Sequence, residues 1–187
     1  MIDLQLSNAL HVLKTEGIIA YPTEAVFGLG CDPDSDAAIE KILTLKDRPA
    51  HKGLILIAAN IDQLTKYADF SALNEQQLQQ IKASWPGPVT WVVPAQKSLS
   101  KLITGDFDSV AVRVSAHPVV QDLCLQFSKP IISTSANLSG CEPCIDSEQV
   151  KLMFSNAPLL SAVIDAPVSG LSSPSKIFDA LTGKQFR

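Results

Sequence analysis

Gly17-Ile18-Ile19-Ala20-Tyr21 is an unbroken apolar run that stops at Pro22 and opens onto Thr23-Glu24-Ala25-Val26-Phe27-Gly28-Leu29-Gly30. A short apolar run bounded by Gly and Pro reads as a buried β-strand. The hydroxyl of Thr23 and the carboxylate of Glu24 then stand at the strand's end, where sheets flanked by helices bind ligands. Gly28 and Gly30 are expected to serve either positive φ or the close approach of a ligand.

Outward from this stretch, helical and strand-like patterns alternate along the chain. Residues 4–14 carry Leu6, Ala9, Leu10 and Leu13 at helical spacing, and Gly17 marks the stop. Asp34 or Ser35 can cap a helix over 36–46 that points Ile39, Ile42 and Leu43 at the core. Residues 54–58 read as a strand, 60–67 and 74–84 as surface helices, and 89–93 as a strand after the break at Trp85-Pro86-Gly87-Pro88. Residues 110–114 alternate, with Val110, Val112 and Val114 on one side and Ala111, Arg113 and Ser115 on the other. A helix from Pro118 to about residue 127, a strand over 130–134, a helix over 147–154 and strands over 163–165 and 175–181 complete the set. The expected fold is an α/β (α+β) single domain over 1–187, a twisted mixed sheet with flanking helices.

Composition limits the function. The chain has 187 residues, 46% hydrophobic and 18% charged, enough for a large core and too apolar for disorder. A net charge of −4 means that any nucleic-acid partner needs a local basic patch. Residues 1–13 lack the pattern of a secretory signal, and no apolar run approaches the ~20 residues of a spanning helix, so a cytoplasmic protein with no membrane contact is expected. Cys141 and Cys144 form a lone C-x-x-C without a second half or a nearby histidine, which reads as reduced thiols rather than a metal site. No Walker A, G-x-S-x-G or histidine-rich metal motif is present, and His11, His51 and His117 are scattered.

The polar clusters suggest what remains. Lys46-Asp47-Arg48-Pro49, with Lys52-Gly53-Leu54 after it, gathers cations at a helix end. They could simply favour the helix dipole, but the fixed exit at Pro49 also suits display of a guanidinium to phosphate or carboxylate. Arg113 either points to solvent or lines a cleft. Ser133-Thr134-Ser135-Ala136-Asn137-Leu138-Ser139-Gly140 offers hydroxyls and an amide to an anion, or an ordinary serine-rich turn. Ser172-Ser173-Pro174-Ser175-Lys176-Ile177-Phe178-Asp179 is a polar turn entering a strand.

Taken in order, these segments resemble the YrdC/TsaC family of threonylcarbamoyl-AMP synthases, on Pro22-Thr23-Glu24 through Gly30, Lys46-x-Arg48-Pro49, Val112-Arg113 through Pro118, and Ser135-x-Asn137. The resemblance runs through essentially the whole chain, and the length suits the short, single-domain bacterial type. It implies a concave basic cavity on a YrdC-like sheet. It also implies that L-threonine, bicarbonate or CO₂, and ATP give L-threonylcarbamoyladenylate and pyrophosphate, for t6A modification at position 37 of tRNAs reading ANN codons. The TsaD, TsaB and TsaE transferase system then follows downstream. Lys46 and Arg48 are the implied catalytic cations. ATP is assigned to Lys46, Arg48, Ser135 and Asn137, with Ser109 and Ser133 in support, and threonine to Thr23, Arg113 and Ser175. Lys52 joins the threonine side as a departure from the family's H/N-P-L pattern. No protein metal ligand is expected, and Mg²⁺ would be held by the nucleotide and water. Competing readings are a non-catalytic module binding tRNA or double-stranded RNA, and a carbamoyl-adenylate enzyme acting on another amine.

Overall fold

The computed structural model describes residues 2–171 and 173–187. Ser172, quoted above in the last polar cluster, lies outside them. Eight strands form one sheet: β1 (Ile18–Pro22), β2 (Phe27–Gly30), β3 (Ile55–Ala58), β4 (Val89–Pro94), β5 (Ser109–Val114), β6 (Ile131–Ser135), β7 (Leu160–Val163) and β8 (Lys176–Asp179), in the order β7-β1-β2-β6-β3-β5-β4-β8. Tight turns and crossovers mix in the connectivity, so the pairing mixes too. β1–β2, β2–β6, β3–β6 and β4–β5 are antiparallel, while β1–β7, β3–β5 and β4–β8 are parallel. The expected mixed sheet with flanking helices is the observed one.

Helices α1 (Ile2–Lys14) and α5 (Pro118–Phe127) cover one face at the β7–β1 side. They enclose a cluster of Leu10, Leu13, Ile19, Tyr21, Ile57, Val120, Leu123 and Ile131. Helices α2 (Asp36–Leu45), α3 (Glu75–Ser84), α4 (Lys101–Thr104) and α6 (Ser147–Met153) accompany the larger core. That core contains Ile39, Ile42, Leu56, Ile81, Val110, Val112 and Ile132. Successive strand residues face opposite sides, so Ile57 joins one cluster while Leu56 joins the other. Ser35 caps α2 by accepting from Ala38 N, and Asn74 and Gln77 build a reciprocal capping box on α3.

Three readings of the sequence change. Residues 60–67 are not an α-helix but hold a single 3-10 turn, Asp62–Leu64. The strand expected over 163–165 lies earlier, at Leu160–Val163, where it pairs with β1. Of the two roles expected for Gly28 and Gly30, positive φ is not found: both sit in β2 and neither has positive φ, while Gly28 lines the cavity described below. A Cβ at Gly28 would lie 3.0 Å from the Tyr21 ring, and one at Gly30 would lie 2.8 Å from both Tyr21 Cε1 and Ile132 O. The glycines clear a path for the Tyr21 ring to lie across the neighbouring strands. Its hydroxyl then donates to Ser133 Oγ at 2.8 Å on β6.

Candidate active site

The face that α1 and α5 cover on one side is open on the other. Cross-strand register places Ile55 beside Ala111 and Ser133, Ala111 beside Val92, and Gly28 beside Ser135. These residues, with Ser109 and Arg113, form the floor of a cavity of about 600 Å³. Its walls are loops at the strand ends: Thr23 to Val26 after β1, Arg48 to Leu54 after α2, Thr104 and Phe107 before β5, and Ser173 to Ser175 before β8. The choice left open for Arg113 resolves in favour of the cleft. The three valines of β5 occupy the core, and the opposite face looks into the cavity.

One end of the cavity carries cations held by carbonyls. Arg48, half-buried after α2, donates Nε and Nη2 to Gly53 O at 3.3 and 2.9 Å, and burial lowers its pKa. Gly53 has φ +65°, which a side chain would resist, and this turn brings its carbonyl to the guanidinium. Lys46 caps the C-terminus of α2 and reaches under the end of β6. Its Nζ donates to Ser135 O, Asn137 O and Asn137 Oδ1 at 2.5, 2.8 and 3.0 Å, which uses all three of its protons. Burial, and secondarily Arg48, pull the Lys46 pKa down to about 8. Asn137 is also occupied, since its Nδ2 donates to Leu138 O and Cys141 O, while its Oδ1 also accepts from Ser135 Oγ at 2.6 Å.

The other end carries an ion pair. Glu24 and Arg113, both buried, are in contact. Glu24 Oε1 also accepts from Ser115 Oγ and Ala116 N, each at 3.0 Å. Arg113 Nε donates to Gly87 O at 3.2 Å, and among the described residues Nη1 has no protein partner. Burial lowers the Arg113 pKa to about 10, and the cation of Arg187 acts in the same direction, so the guanidinium stays charged at neutral pH. Thr23 Oγ1 donates to Val26 O at 2.6 Å, and Ser175 Oγ lies 3.0 Å from Thr90 Oγ1. Ser169 N and Leu171 N donate to Thr23 O and Glu24 O, so the segment before β8 crosses over this end.

Thus Thr23, Arg48, Lys52, Ser109, Arg113, Ser133, Ser135 and Ser175 converge on one cavity. Lys46 and Asn137, expected at the ATP, are not in its lining. They lie behind Ser135 with their donors engaged inside the protein, because the C-cap of α2 aims Lys46 at backbone carbonyls. Two lining residues escaped the sequence reading. Glu24 was noticed as a carboxylate at the strand end, but nothing local joins it to Arg113, 89 residues away. Arg187, in the strand-like return that pairs Gln185 with Phe178, carried no motif. His117 is a structural cap: Nδ1 accepts from Val119 N at 3.3 Å, leaving Nε2 to donate to Pro167 O at 3.0 Å. The four thiols are free, with Cys141 exposed and the others buried. Among the described residues no helix is long and apolar enough to cross a membrane.

The model of the Sua5/YciO/YrdC family, described as telomere recombination, matches residues 11–187 of this chain. The chain belongs to that family. A threonylcarbamoyl-AMP synthase of Psychromonas ingrahamii is 67% identical over 183 residues, covering 98% of this chain and 96% of its own length. Another, from Yersinia enterocolitica, is 57% identical over 97% of this chain and 94% of its own. Within the family the chain therefore stands with the ATP-using threonylcarbamoyl-AMP synthases, of the short type. The structure of P. abyssi Sua5 complexed with L-threonine superposes with a TM-score of 0.85 at 31% identity over 93% of this chain, which spans half of that longer protein.

Proposed function

We propose that this cavity binds ATP and L-threonine at opposite ends and joins them through bicarbonate or CO₂ as L-threonylcarbamoyladenylate. The observation that carries this reading is one cavity with two chemically distinct polar ends, in a chain 67% identical to a threonylcarbamoyl-AMP synthase. The threonine amine and bicarbonate form a carbamate with loss of water. A carbamate oxygen then bonds to the α-phosphorus of ATP, the bond to the β-phosphate oxygen breaks, and pyrophosphate leaves. Such a displacement needs alignment and charge stabilisation rather than a covalent nucleophile, which suits a site of cations and hydroxyls.

Arg48 has Nη1 and the second proton of Nη2 left for the triphosphate after Gly53 O accepts from Nε and Nη2, and Ser133 and Ser109 offer hydroxyls along the same floor beside Ser135, whose own proton goes to Asn137 Oδ1. Lys46 and Asn137 act through Ser135: the lysine fixes the turn on which the serine stands. Thr23, Ser175 and Arg113 Nη1 take the threonine side, with Lys52 at the edge. Glu24 is engaged by Arg113, Ser115 and Ala116, so it is not free to hold a cation, and Mg²⁺ would arrive on the triphosphate with phosphate and water ligands. The single domain would release its product to a TsaD, TsaB and TsaE type transferase for tRNA modification. The chain's threonine role draws support from the threonine-bound Sua5 relative.

Pyrophosphate release from ATP and Mg²⁺, with and without L-threonine and bicarbonate, tests the proposal when the adenylate is captured in parallel. Release that needs both co-substrates is expected. No release from folded protein under any combination overturns it. Tight RNA binding that weakens steeply with salt would then identify an RNA-binding module.

A further inference from the structure

After β7 the chain stays fixed for two residues. Ile164 N donates to Ala20 O, Asp165 N donates to Gln5 Oε1, and Asp165 Oδ1 accepts from Ser147 Oγ. Residues 166–171 then run as a strap past the end of β1. Among the described residues three hydrogen bonds tie that strap to the body: Ser169 N to Thr23 O at 3.3 Å, Leu171 N to Glu24 O at 3.0 Å, and His117 Nε2 to Pro167 O at 3.0 Å. Ala166 and Val168 add partly buried apolar contacts. The strap ends at Leu171, which lines the cavity together with Thr23 and Glu24.

His117 is the one side chain among the three ties, and it is buried. Capping α5 needs only Nδ1, and the short side chains of Asn, Asp and Ser do that better. The imidazole adds reach: with Nδ1 accepting from Val119 N, the proton sits on Nε2 and points at the strap. Burial lowers the His117 pKa and the Arg113 cation acts the same way, against the bond to Pro167 O, so the neutral ring persists. His117 N also donates to Ser115 Oγ, which donates to Glu24 Oε1. Residues 115–117 thus hold the Glu24 carboxylate and the strap together, and the Thr23-Glu24 backbone is clamped between them.

We infer that His117 is a positioning residue for the amino-acid side of the reaction: its bond to Pro167 O registers the 166–171 strap on Thr23 and Glu24 and so fixes that wall of the cavity. This rests on the function proposed above and adds to it a residue that acts through the strap, not on the substrate.

The test compares wild type with His117→Asn in the full chain. Asparagine can keep the cap on α5 but has no atom at the reach of Nε2. Hydrogen–deuterium exchange over residues 166–171 is read without substrate, together with melting temperature and with pyrophosphate release at varied L-threonine and at varied ATP. Exchange should quicken by about threefold to tenfold, the loss of one hydrogen bond, while the melting temperature falls by no more than about 4 °C. KM for threonine should rise by about threefold or more and KM for ATP by less than about twofold. Unchanged exchange overturns the inference, because the strap would not be held by His117. Faster exchange with an unchanged threonine KM, or with an equal rise in both KM values, overturns it too. Wild type gives an independent reading should the variant not fold: saturating L-threonine, unlike ATP, should slow exchange over 166–171, and no slowing overturns the inference. Absence of pyrophosphate release from wild type would instead overturn the proposed function, and it is read apart from the exchange.

Discussion

The two ends of the cavity each bury cations but balance them differently. At the Arg48 end, Lys46 and Arg48 are held by backbone carbonyls and an amide oxygen. Those dipoles satisfy the donors and leave the formal charge in place. At the Arg113 end, Glu24 removes the charge and leaves the geometry. A triphosphate brings several negative charges and an amino acid one, so the end that retains its charge suits the nucleotide. The comparison teaches that counting arginines is a poor guide to a site's field; what compensates each one decides it.

The most damaging way to break this contrast is Glu24→Ala. It strands a buried guanidinium and removes the acceptor of Ser115 Oγ and Ala116 N, and should cost about 3–5 kcal/mol of stability in denaturant titration. The double variant Glu24→Ala/Arg113→Met should recover part of that loss, because the uncompensated charge is gone.

Arg48→Ala should leave the fold intact and lower kcat/KM for ATP by about 30- to 1000-fold, the loss of about 2–4 kcal/mol of transition-state stabilisation. Near-normal turnover would remove Arg48 from the site. Lys46 sharpens the comparison through pH. Its pKa is about 8 against an ordinary 10.5. The folded protein therefore gives up this proton before the unfolded chain does. The Lys46 contribution to stability should rise with pH between about 8 and 10.5, read as the difference between wild type and Lys46→Met. Activity should move the other way, falling as pH passes about 8, because the neutral amine can no longer donate to all three carbonyl oxygens. A wild-type rate that is flat from pH 7 to 9.5 would refute the clamp. The smallest effect expected is Tyr21→Phe, which removes one hydrogen bond to Ser133 and should cost about 0.5–1.5 kcal/mol by thermal melting, with little change in turnover.

Much of the scaffold was legible in the chain. The strand ending at Pro22, the alternation over 110–114 and the helix beginning at Pro118 all follow from period and punctuation, and all three stand in the structure. The second strand was not legible, because Phe27-Gly28-Leu29-Gly30 has the composition of a turn. Its glycines are there for the ring of Tyr21, a residue on the neighbouring strand. The 3-10 turn at Asp62–Leu64 reads as a helix for the opposite reason: local propensity is adequate, but after one turn the chain leaves the helical path to bridge Ala68 with Ala95 beside β4.

By itself the sequence determined the strand–helix alternation, the polar clusters at strand ends and the family to which they belong, since period, turn chemistry and motif order are local properties of the chain. Only the tertiary structure decided the wiring between those clusters. Glu24 meets Arg113 across 89 positions, Lys46 meets Asn137 across 91, and Arg187 reaches Ser175 by a β-return. The first two pair charges or donors that burial makes obligatory, because a buried polar group must find a partner. Which partner it finds depends on sheet order, and sheet order is set by long-range packing that no local pattern encodes.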